Sequence, residues 1–345
     1  MSAVSSKIEL SFGVTFEDLY RREGLVRLDG VFVGHLQAAD ASLHARLVEA
    51  RVNPAAIAAD DQSALIIALA PYVEDFLGEL FGITTEIEAL GSRHNALAPM
   101  LAFKRKFIQK KAISGVTKDQ ASAIDGPALA AELESLFGEP LTQSSFFAHV
   151  SRWMDNETEH PERVQTAARY AAWAVLSPAG MRKHHGDVLF KVAHKIDQHH
   201  LIPVDSIEMH GLRKLRLPED RWRNRQGFKL TDAGMDLAGA LDQAHYCIKC
   251  QHQHKDSCSS GLKEKSGEFK KSVFGVTLAG CPLDEKISEL NEVKQSGNSV
   301  GALAIVTIDN PMAAATGHRI CNDCMKACIY QKQEPVDIRK LRRAR

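Results

Sequence analysis

All seven cysteines of this 345-residue chain lie between Cys247 and Cys328, and the preceding 246 residues contain none. Cysteines that only fill a core would be scattered along the chain. Disulfides are rare in a reducing cytosol, and an odd number of cysteines would leave one unpaired. Thiolates are soft ligands that suit iron–sulfur clusters or zinc. The cysteine-rich C-terminal region is therefore predicted to bind metal.

The spacing of the cysteines is typical of metal ligands. Their order is Cys247-x2-Cys250-x7-Cys258-x22-Cys281 and then, with 39 residues between Cys281 and Cys321, Cys321-x2-Cys324-x3-Cys328; Pro282 directly follows Cys281. Two cysteines separated by two residues present their thiolates on one side of a tight turn, so both can reach one metal centre. Pro282 prevents a helix from continuing through Cys281. An apolar helix face then follows at Leu283, Ile287, Leu290 and Val293, and we expect this helix to pack beneath a cluster.

A zinc site is the main alternative to iron–sulfur clusters. The pair Cys247 and Cys250 could join the pair Cys321 and Cys324 in one four-thiolate site. Two histidines, His252 and His254, could also serve as ligands. However, 70 residues separate the two cysteine pairs, which is far more than small zinc ribbons use. Zinc would also leave three cysteines without a role: Cys258, Cys281 and Cys328.

The first 240 residues predict mainly helix, because their apolar residues recur at helical spacing and few stretches alternate with period two. Asp125 and Pro127 indicate a helix start, and Gly138 indicates its end. Further apolar stripes follow Pro161 and cover Leu189, Val192, Ala193 and Ile196. Residues 201–230 are rich in charge and proline and are interpreted as a connector. Thr231 or Asp232 then caps a helix that runs into Cys247.

Three other groups of residues suggest surfaces or packing rather than sites. The pairs His184-His185 and His199-His200 lack a CxxCH motif and are interpreted as parts of a solvated face. A basic amphipathic helix face is predicted at Lys104, Arg105, Lys106, Lys110 and Lys111. The tryptophans are expected at core or edge positions: Trp153, Trp173 and Trp222.

Composition excludes two classes of partner. Lys plus Arg and Asp plus Glu each number 43, so the net charge is zero, and no strong basic excess points to nucleic acid. No apolar run approaches the roughly 18 residues of a membrane span. The first residues, MSAVSSKIEL, lack the apolar core of a secretory signal. We expect a cytoplasmic protein with no nucleic-acid partner and no membrane span.

Residues 280–338 contain an ordered set of motifs. GCPL at Gly280–Leu283 precedes the predicted amphipathic helix, TG-x-R-x-C ends at Cys321, and EPV-x-I begins at Glu334. With the other cysteines, these motifs resemble the N-terminal two-[4Fe–4S] domain of the glutamate synthase small subunit and of dihydropyrimidine dehydrogenase. The resemblance covers about 100 residues, from His245 to the C-terminus.

The resemblance implies a division of the ligands between two clusters. The first would use Cys247, Cys250, Cys258 and Cys328, and the second would use Cys281, Cys321 and Cys324. In the family, a Gln or Glu beyond the last cysteine completes the second cluster. The aligned position here is near Arg342, which cannot ligate iron. Glu334 and Asp337 are the substitutes that this chain offers. The gap between Cys258 and Cys281 is longer than in the family, and the polar loop 259–272 fills it as an insertion.

In that family, a flavin-binding GxGxxG unit follows the iron–sulfur domain, and this chain contains neither GxGxxG nor a Walker GxxxxGK[ST] motif. FAD and NAD(P)H are therefore expected on a partner flavoprotein or on a missing domain. The sequence thus predicts a mainly α protein, with a helical domain at 1–230 and an α-helical ferredoxin-like iron–sulfur domain at 231–345. The predicted function is electron relay within a flavin-dependent oxidoreductase. The alternative is a zinc-stabilised helical binding module.

Overall fold

The structure is a computed structural model, and it describes residues 9–202, 204–219, 222, 224–228, 234–317 and 320–341. The described chain is mainly helical, which confirms the predicted α class. The helices before the connector are α1 (Arg22–Ala39), α2 (Ala41–Val52), α3 (Ala59–Phe81), α4 (Thr84–Phe103), α5 (Lys118–Ser122), α6 (Gly126–Phe137), α7 (Gln143–Asp155), α8 (Pro161–Leu176) and α9 (Pro178–Lys183). Among the described residues, no helix combines the length and apolar character needed to cross a membrane.

Helices α1, α2 and α3 form the first packing unit. Asp40 begins α2 by accepting a hydrogen bond from the Leu43 backbone N–H at 2.8 Å. Helix α3 ends at Gly82, whose φ of 66° is readily adopted by glycine. The unit buries a small leucine core: Leu36, Leu43, Leu47 and Leu65.

The second unit contains α4 to α9 and the largest core of the described chain. Helix α4 continues directly into a π-helical segment, Lys104–Ala112, that buries Phe107 and Ile108 against α8. Asp125 caps α6 and Gly138 ends it, which confirms both helix signals. Trp153 and Trp173 are buried, as expected for core positions, whereas Trp222 is 55% exposed.

A β-hairpin lies within the predicted connector. Strands β1 (Asp205–Met209) and β2 (Leu212–Arg216) pair antiparallel, with Met209 opposite Leu212. The turn residues His210 and Gly211 both have positive φ, 55° and 72°, as a two-residue type I′ turn requires. Every residue of β2 is exposed. The strand therefore needs no alternation of apolar and polar residues, and the sequence contained no such signal for this hairpin.

The C-terminal region contains α10 (Leu237–Tyr246), α11 (Ser257–Ser260), α12 (Ile287–Gln295), α13 (Ser299–Asp309), α14 (Ala313–Thr316), α15 (Asp323–Lys326) and α16 (Ile338–Leu341). It shares a core with α3: Ala70 packs among residues of α10, α12, α13 and α16. Gly301 allows this close approach, because an added Cβ would lie 2.6 Å from the Ala70 carbonyl oxygen. The predicted division at residue 230 therefore runs across a common core.

Three local predictions were wrong. Leu189 and Val192 are buried, but residues 189–196 form no helix and cross the core as irregular chain. The helix predicted from Leu283 begins only at Ile287, because residues 282–286 form a turn and an irregular stretch. His184 is buried rather than solvated, since its Nε2 contacts the Tyr170 hydroxyl at 2.8 Å.

The cap predicted at Thr231 or Asp232 falls on residues outside the described ranges. The described helix α10 begins at Leu237 instead. Its N-cap is Asp236, whose side chain accepts a hydrogen bond from the Gly239 N–H at 2.8 Å. The basic face is partly as predicted: Arg105, Lys106, Lys110 and Lys111 are exposed, whereas Lys104 is buried and pairs with Asp242.

Candidate metal centre

Helix α10 delivers the first two cysteines. Its buried face, which includes Leu241 and Ala244, fixes the helix in the core, and the helix ends at Cys247. Lys249 follows with a φ of 55°, which turns the chain back so that a short 3₁₀ turn can begin at Cys250. The Lys249 ammonium donates to the Ala244 carbonyl at 2.6 Å and to the Cys247 carbonyl at 3.1 Å. This contact neutralises the C-terminal end of α10 and stabilises the turn.

The third cysteine lies on α11 and is fixed by the segment that carries Cys281. The Cys281 N–H donates to the carbonyls of Cys258 at 2.8 Å and Ser259 at 2.9 Å. Gly280 precedes it with a φ of 85°, and a Cβ there would collide with the Ser259 carbonyl. Glycine is therefore required at the first position of the GCPL motif, both for its positive φ and because a side chain would not fit against α11.

The fourth cysteine, Cys328, comes from the far end of the chain, just after α15. The backbone N–H groups of Tyr330 and Val336 point at its sulfur, and the Cys258 thiol donates a hydrogen bond to it. These three donors favour the thiolate and lower the pKa of Cys328 to about 7, with the bond from Cys258 as the largest cause.

These four cysteines line one small cavity: Cys247, Cys250, Cys258 and Cys328. Helix α12 contributes two further polar side chains to the wall, Ser288 and Asn291. Asn291 is fully buried, and neither its Nδ2 nor its Oδ1 has a hydrogen-bond partner of normal geometry among the described residues. Its amide lies near enough to the Cys247 sulfur to lower the pKa of that thiol. Tyr330, Val336 and Ile338 close the apolar side.

The other three thiols of the cavity resist ionisation. Burial, and after it the neighbouring Cys247, raises the pKa of Cys250 to about 12. Burial is also the main reason that the pKa of Cys247 is raised. The hydrogen bond donated to Cys328, followed by burial, raises the pKa of Cys258 well above its usual value. Of the four thiols in the cavity, only Cys328 ionises readily. A bound cation would be needed to deprotonate Cys247, Cys250 and Cys258.

The cavity is tightly closed around the thiols. Its free volume is about 10 Å³, which is about the space of one water molecule. Within the described ranges, no group of three or more His, Cys, Asp or Glu side chains is arranged to hold a metal ion as it stands. A metal or cluster at this place would therefore require the four thiol side chains to change their arrangement. The donor set suits a thiolate-bound metal by its chemistry, because it consists of four cysteines that line one cavity with an amide beside them.

The residues predicted for a second cluster do not line this cavity. Cys281 and Cys324 are buried in the same apolar cluster as Cys258 and Cys328, whereas Cys321 is exposed. The two substitute ligands face elsewhere. Glu334 lines a different, larger cavity, and the Asp337 carboxylate lies 3.7 Å from the Lys340 ammonium. Arg342 lies outside the described residues. The second ligand set stays a prediction.

The sequence did not identify Asn291 as part of the site, although it contains a signal. Asn291 lies four residues after Ile287, on the face that Leu290 and Val293 bury. An uncharged polar residue on an apolar helix face needs a partner once it is buried. The zinc pairing considered for Cys247 and Cys250 also differs from the observed grouping, since neither Cys321 nor Cys324 lines the cavity.

Comparisons with known proteins place this chain among uncharacterized relatives. The family model described as the RP005 N-terminal alpha-helical domain matches residues 10–82, which contain α1 to α3. An uncharacterized protein of Rickettsia prowazekii (strain Madrid E), RP005, is 30% identical over 302 residues, covering 83% of this chain and 98% of that protein. A second uncharacterized protein of that organism, RP006, is 85% identical over 27 residues, which are 8% of this chain and 4% of that protein. No solved structure matches the chain.

Proposed function

The chain belongs to the family of the Rickettsia protein RP005, and from the cysteine site of this member we propose that it binds a [4Fe–4S] cluster and relays single electrons. The observation that carries the proposal is that Cys247, Cys250, Cys258 and Cys328 line one buried cavity. They come from three separate segments of the chain. A fold that only buried cysteines as small apolar residues would have no reason to gather four thiols from such distant positions.

The donor set agrees with the ligation expected of such a cluster. Four cysteine thiolates are the usual ligands of a [4Fe–4S] cluster. When bound, the cluster would supply one-electron oxidation and reduction. The chain's own contribution is to hold the sulfurs, to exclude water with Tyr330 and Ile338, and to aim hydrogen-bond donors at sulfur. Those donors are the N–H groups of Tyr330 and Val336 and the amide of Asn291. Such hydrogen bonds and burial tune reduction potentials.

The electron donor proposed for this site is a flavoprotein that carries FAD and NAD(P)H. Two observations support a separate donor. The sequence contains neither GxGxxG nor a Walker motif, and the motifs of residues 280–338 resemble iron–sulfur domains that work beside a flavin unit. A second [4Fe–4S] cluster at Cys281, Cys321 and Cys324 belongs to the same proposal.

The test is anaerobic purification and reconstitution with iron and sulfide, followed by iron, sulfide and zinc analysis and a visible spectrum. The full chain is expected to bind about four irons if one cluster forms, or about eight if both form, with a broad band bleached by dithionite. Cys258→Ala should lose the four irons assigned to the first site. Cys321→Ala is the matched control, because Cys321 is exposed and does not line the cavity. It should retain at least those four irons.

The zinc-stabilised binding module is the opposing outcome. A colourless protein with about one zinc per chain, lost in Cys258→Ala, would overturn the electron-relay proposal and support a structural four-thiolate zinc site. Circular dichroism of each variant shows whether metal loss reflects ligand removal or failure to fold.

A further inference from the structure

A second, larger cavity lies beside the cysteine cavity. It is bounded by the π-helical segment, α10 and residues 330–335, and its volume is about 440 Å³. Small-molecule sites commonly have volumes of about 300–1,000 Å³. Tyr330 lines both cavities. π-Helical turns are rare and occur frequently at functional sites. The cavity takes no part in the cysteine site, so its lining needs an explanation of its own.

The charged groups of the lining leave an excess of positive charge. The lining contains three cations, Lys104, Arg105 and Lys191, and two anions, Asp242 and Glu334. Lys104 and Asp242 neutralise each other through a buried ion pair at 2.5 Å. Arg105 Nη2 donates to the His245 carbonyl at 3.0 Å, which leaves its other N–H groups available. Lys191 makes no side-chain hydrogen bond or ion pair with any residue that the structure describes.

The ring of His245 adds a further polar group to the lining. Gln295 Nε2 donates to Nδ1 of this ring at 3.3 Å, which places the ring hydrogen on Nε2. His245 Nε2 is buried and has no partner among the described residues. A buried N–H without an acceptor is costly to leave unpaired. An acceptor-rich ligand beside this ring would satisfy it.

An aromatic wall completes the cavity. The rings of Tyr246 and Tyr330 stack with centroids 4.6 Å apart and an interplanar angle of 14°. Gln333 Nε2 donates to the Tyr246 hydroxyl at 2.7 Å, which fixes this wall. Leu101 and Val192 contribute apolar surface. A fixed aromatic wall favours a planar ring over a flexible chain.

We propose that this cavity binds a small aromatic carboxylate, with the carboxylate toward Arg105 and Lys191 and the ring against the two tyrosines. Guanidinium and ammonium groups bind carboxylates through charge-assisted hydrogen bonds. The Glu334 carboxylate disfavours a second anionic group and accepts a hydrogen bond from a ring hydroxyl. The proposal does not depend on the cluster, because none of these groups is one of the four cysteines.

The test compares three probes of similar shape and different charge: 4-hydroxybenzoate, 4-hydroxybenzamide and 4-hydroxybenzylamine. Each is titrated into the purified full chain without iron, and binding is followed by ligand-observed NMR. We expect 4-hydroxybenzoate to bind about tenfold more tightly than the amide, the order expected for loss of charge-assisted hydrogen bonds. The amine should bind most weakly, because Arg105 and Lys191 repel it.

Variants locate the binding on the molecule. Lys191→Gln and Arg105→Gln should each weaken 4-hydroxybenzoate binding about tenfold. Lys106→Gln is the matched control, since Lys106 is exposed on the same π-helical segment and does not line the cavity. This variant should bind 4-hydroxybenzoate as tightly as the wild type does. The proposal is overturned if the carboxylate does not bind, if all three probes bind equally, or if Lys191→Gln and Lys106→Gln behave alike. None of these results depends on iron, so they do not bear on the proposed electron relay.

Discussion

At the residue scale, the buried amide of Asn291 distinguishes the cysteine cavity from ordinary core. A fully buried side chain that lacks complete hydrogen bonds is costly unless something else at the site uses its donor. The sulfur of Cys247 can accept from this amide, which lowers the pKa of that thiol. Asn291 therefore belongs to the site by its chemistry, although it is neither charged nor a metal ligand.

If the proposed cluster forms at the four cysteines, Asn291→Leu is expected to retain its iron and to lower its midpoint potential by about 40 mV. The reduced cluster carries more negative charge than the oxidised one. Removing an N–H donor to sulfur therefore costs the reduced state more stabilisation than the oxidised state. One hydrogen bond contributes about 1 kcal/mol, and 59 mV corresponds to about 1.4 kcal/mol for one electron. The potential is measured by dithionite titration of the visible band. Asn156→Leu, at an exposed position, should leave it unchanged. An unchanged potential in Asn291→Leu would show that the Asn291 amide does not act on the cluster.

Glu74 offers a second prediction at the residue scale. It is buried, and its Oε2 accepts hydrogen bonds from the N–H groups of Val300 at 2.6 Å and Gly301 at 2.8 Å, in the first turn of α13. Burial raises its pKa above the ordinary 4.5, although these hydrogen bonds oppose the rise. A raised carboxyl pKa means that the folded state binds the proton more tightly than the unfolded state. Its contribution to stability is therefore present below pH 4.5 and is lost as the pH rises through the folded pKa.

Glu74→Gln should remove this pH dependence, because the amide is neutral and still offers a carbonyl to α13. We expect its stability relative to the wild type to increase from pH 4 to pH 7, as measured by urea unfolding. Glu74→Ala also lacks the titrating group, so it should be about 1 kcal/mol less stable than Glu74→Gln at both pH values, since no acceptor remains at the helix start. A constant difference between Glu74→Gln and the wild type would show that Glu74 has the same pKa in both states.

At the scale of elements, the ion pair between Lys104 and Asp242 joins the π-helical segment to α10. Both side chains are nearly buried, at 6% and 11% exposed. Burial lowers the pKa of Lys104, and the partner carboxylate opposes that change. Because α10 leads directly into Cys247, this contact fixes the segment that delivers the first cysteine to the cavity. The two elements are separated by more than 100 residues of chain.

Lys104→Met should cost about 3–5 kcal/mol of unfolding free energy, because it leaves the Asp242 charge buried without a partner. The double variant Lys104→Met/Asp242→Leu should recover most of that loss. Urea unfolding at pH 7 measures both. Lys111→Met is the control on the same segment, because its ion pair with Glu157 is exposed and should be worth less than about 1 kcal/mol. Equal losses in Lys104→Met and Lys111→Met would contradict a buried pair.

At the scale of the whole molecule, the N-terminal helices and the cysteine region are built on a shared core. Helix α3 lies in the segment matched by the RP005 N-terminal domain, and its Ala70 packs with Leu290, Val293 and Ile305. Helix α12 therefore contacts the cysteine cavity through Asn291 on one side and α3 through this core on the other. The division into residues 1–230 and 231–345 stays a prediction, and this core contains residues from both sides of it.

Gly301→Ala should destabilise the whole chain in a single transition, by about 1–3 kcal/mol, because the methyl group overpacks the α3–α13 contact. Gly91→Ala is the control, since it is helical and nothing lies within 4 Å of its added Cβ, and it should gain up to about 1 kcal/mol. Helical circular dichroism and thiol reactivity follow the unfolding of the two regions. Two separate transitions, with only the thiol signal shifted, would support independent domains.

The sequence by itself determined the features that depend on near neighbours in the chain. Helical spacing gave the α class, Asp125 and Gly138 gave the bounds of α6, and the CxxC spacing gave the local pair Cys247 and Cys250. The grouping of Cys328 with that pair was available only through resemblance. Only the tertiary structure decided what depends on distant contacts: the burial of Lys104 and His184, the irregular chain at 189–196, the core shared with α3, and the cavity that joins the four cysteines to Asn291. These features depend on packing between segments that are far apart in sequence. Such packing produces no periodic pattern of residues within any one segment, so it cannot be read from the local sequence.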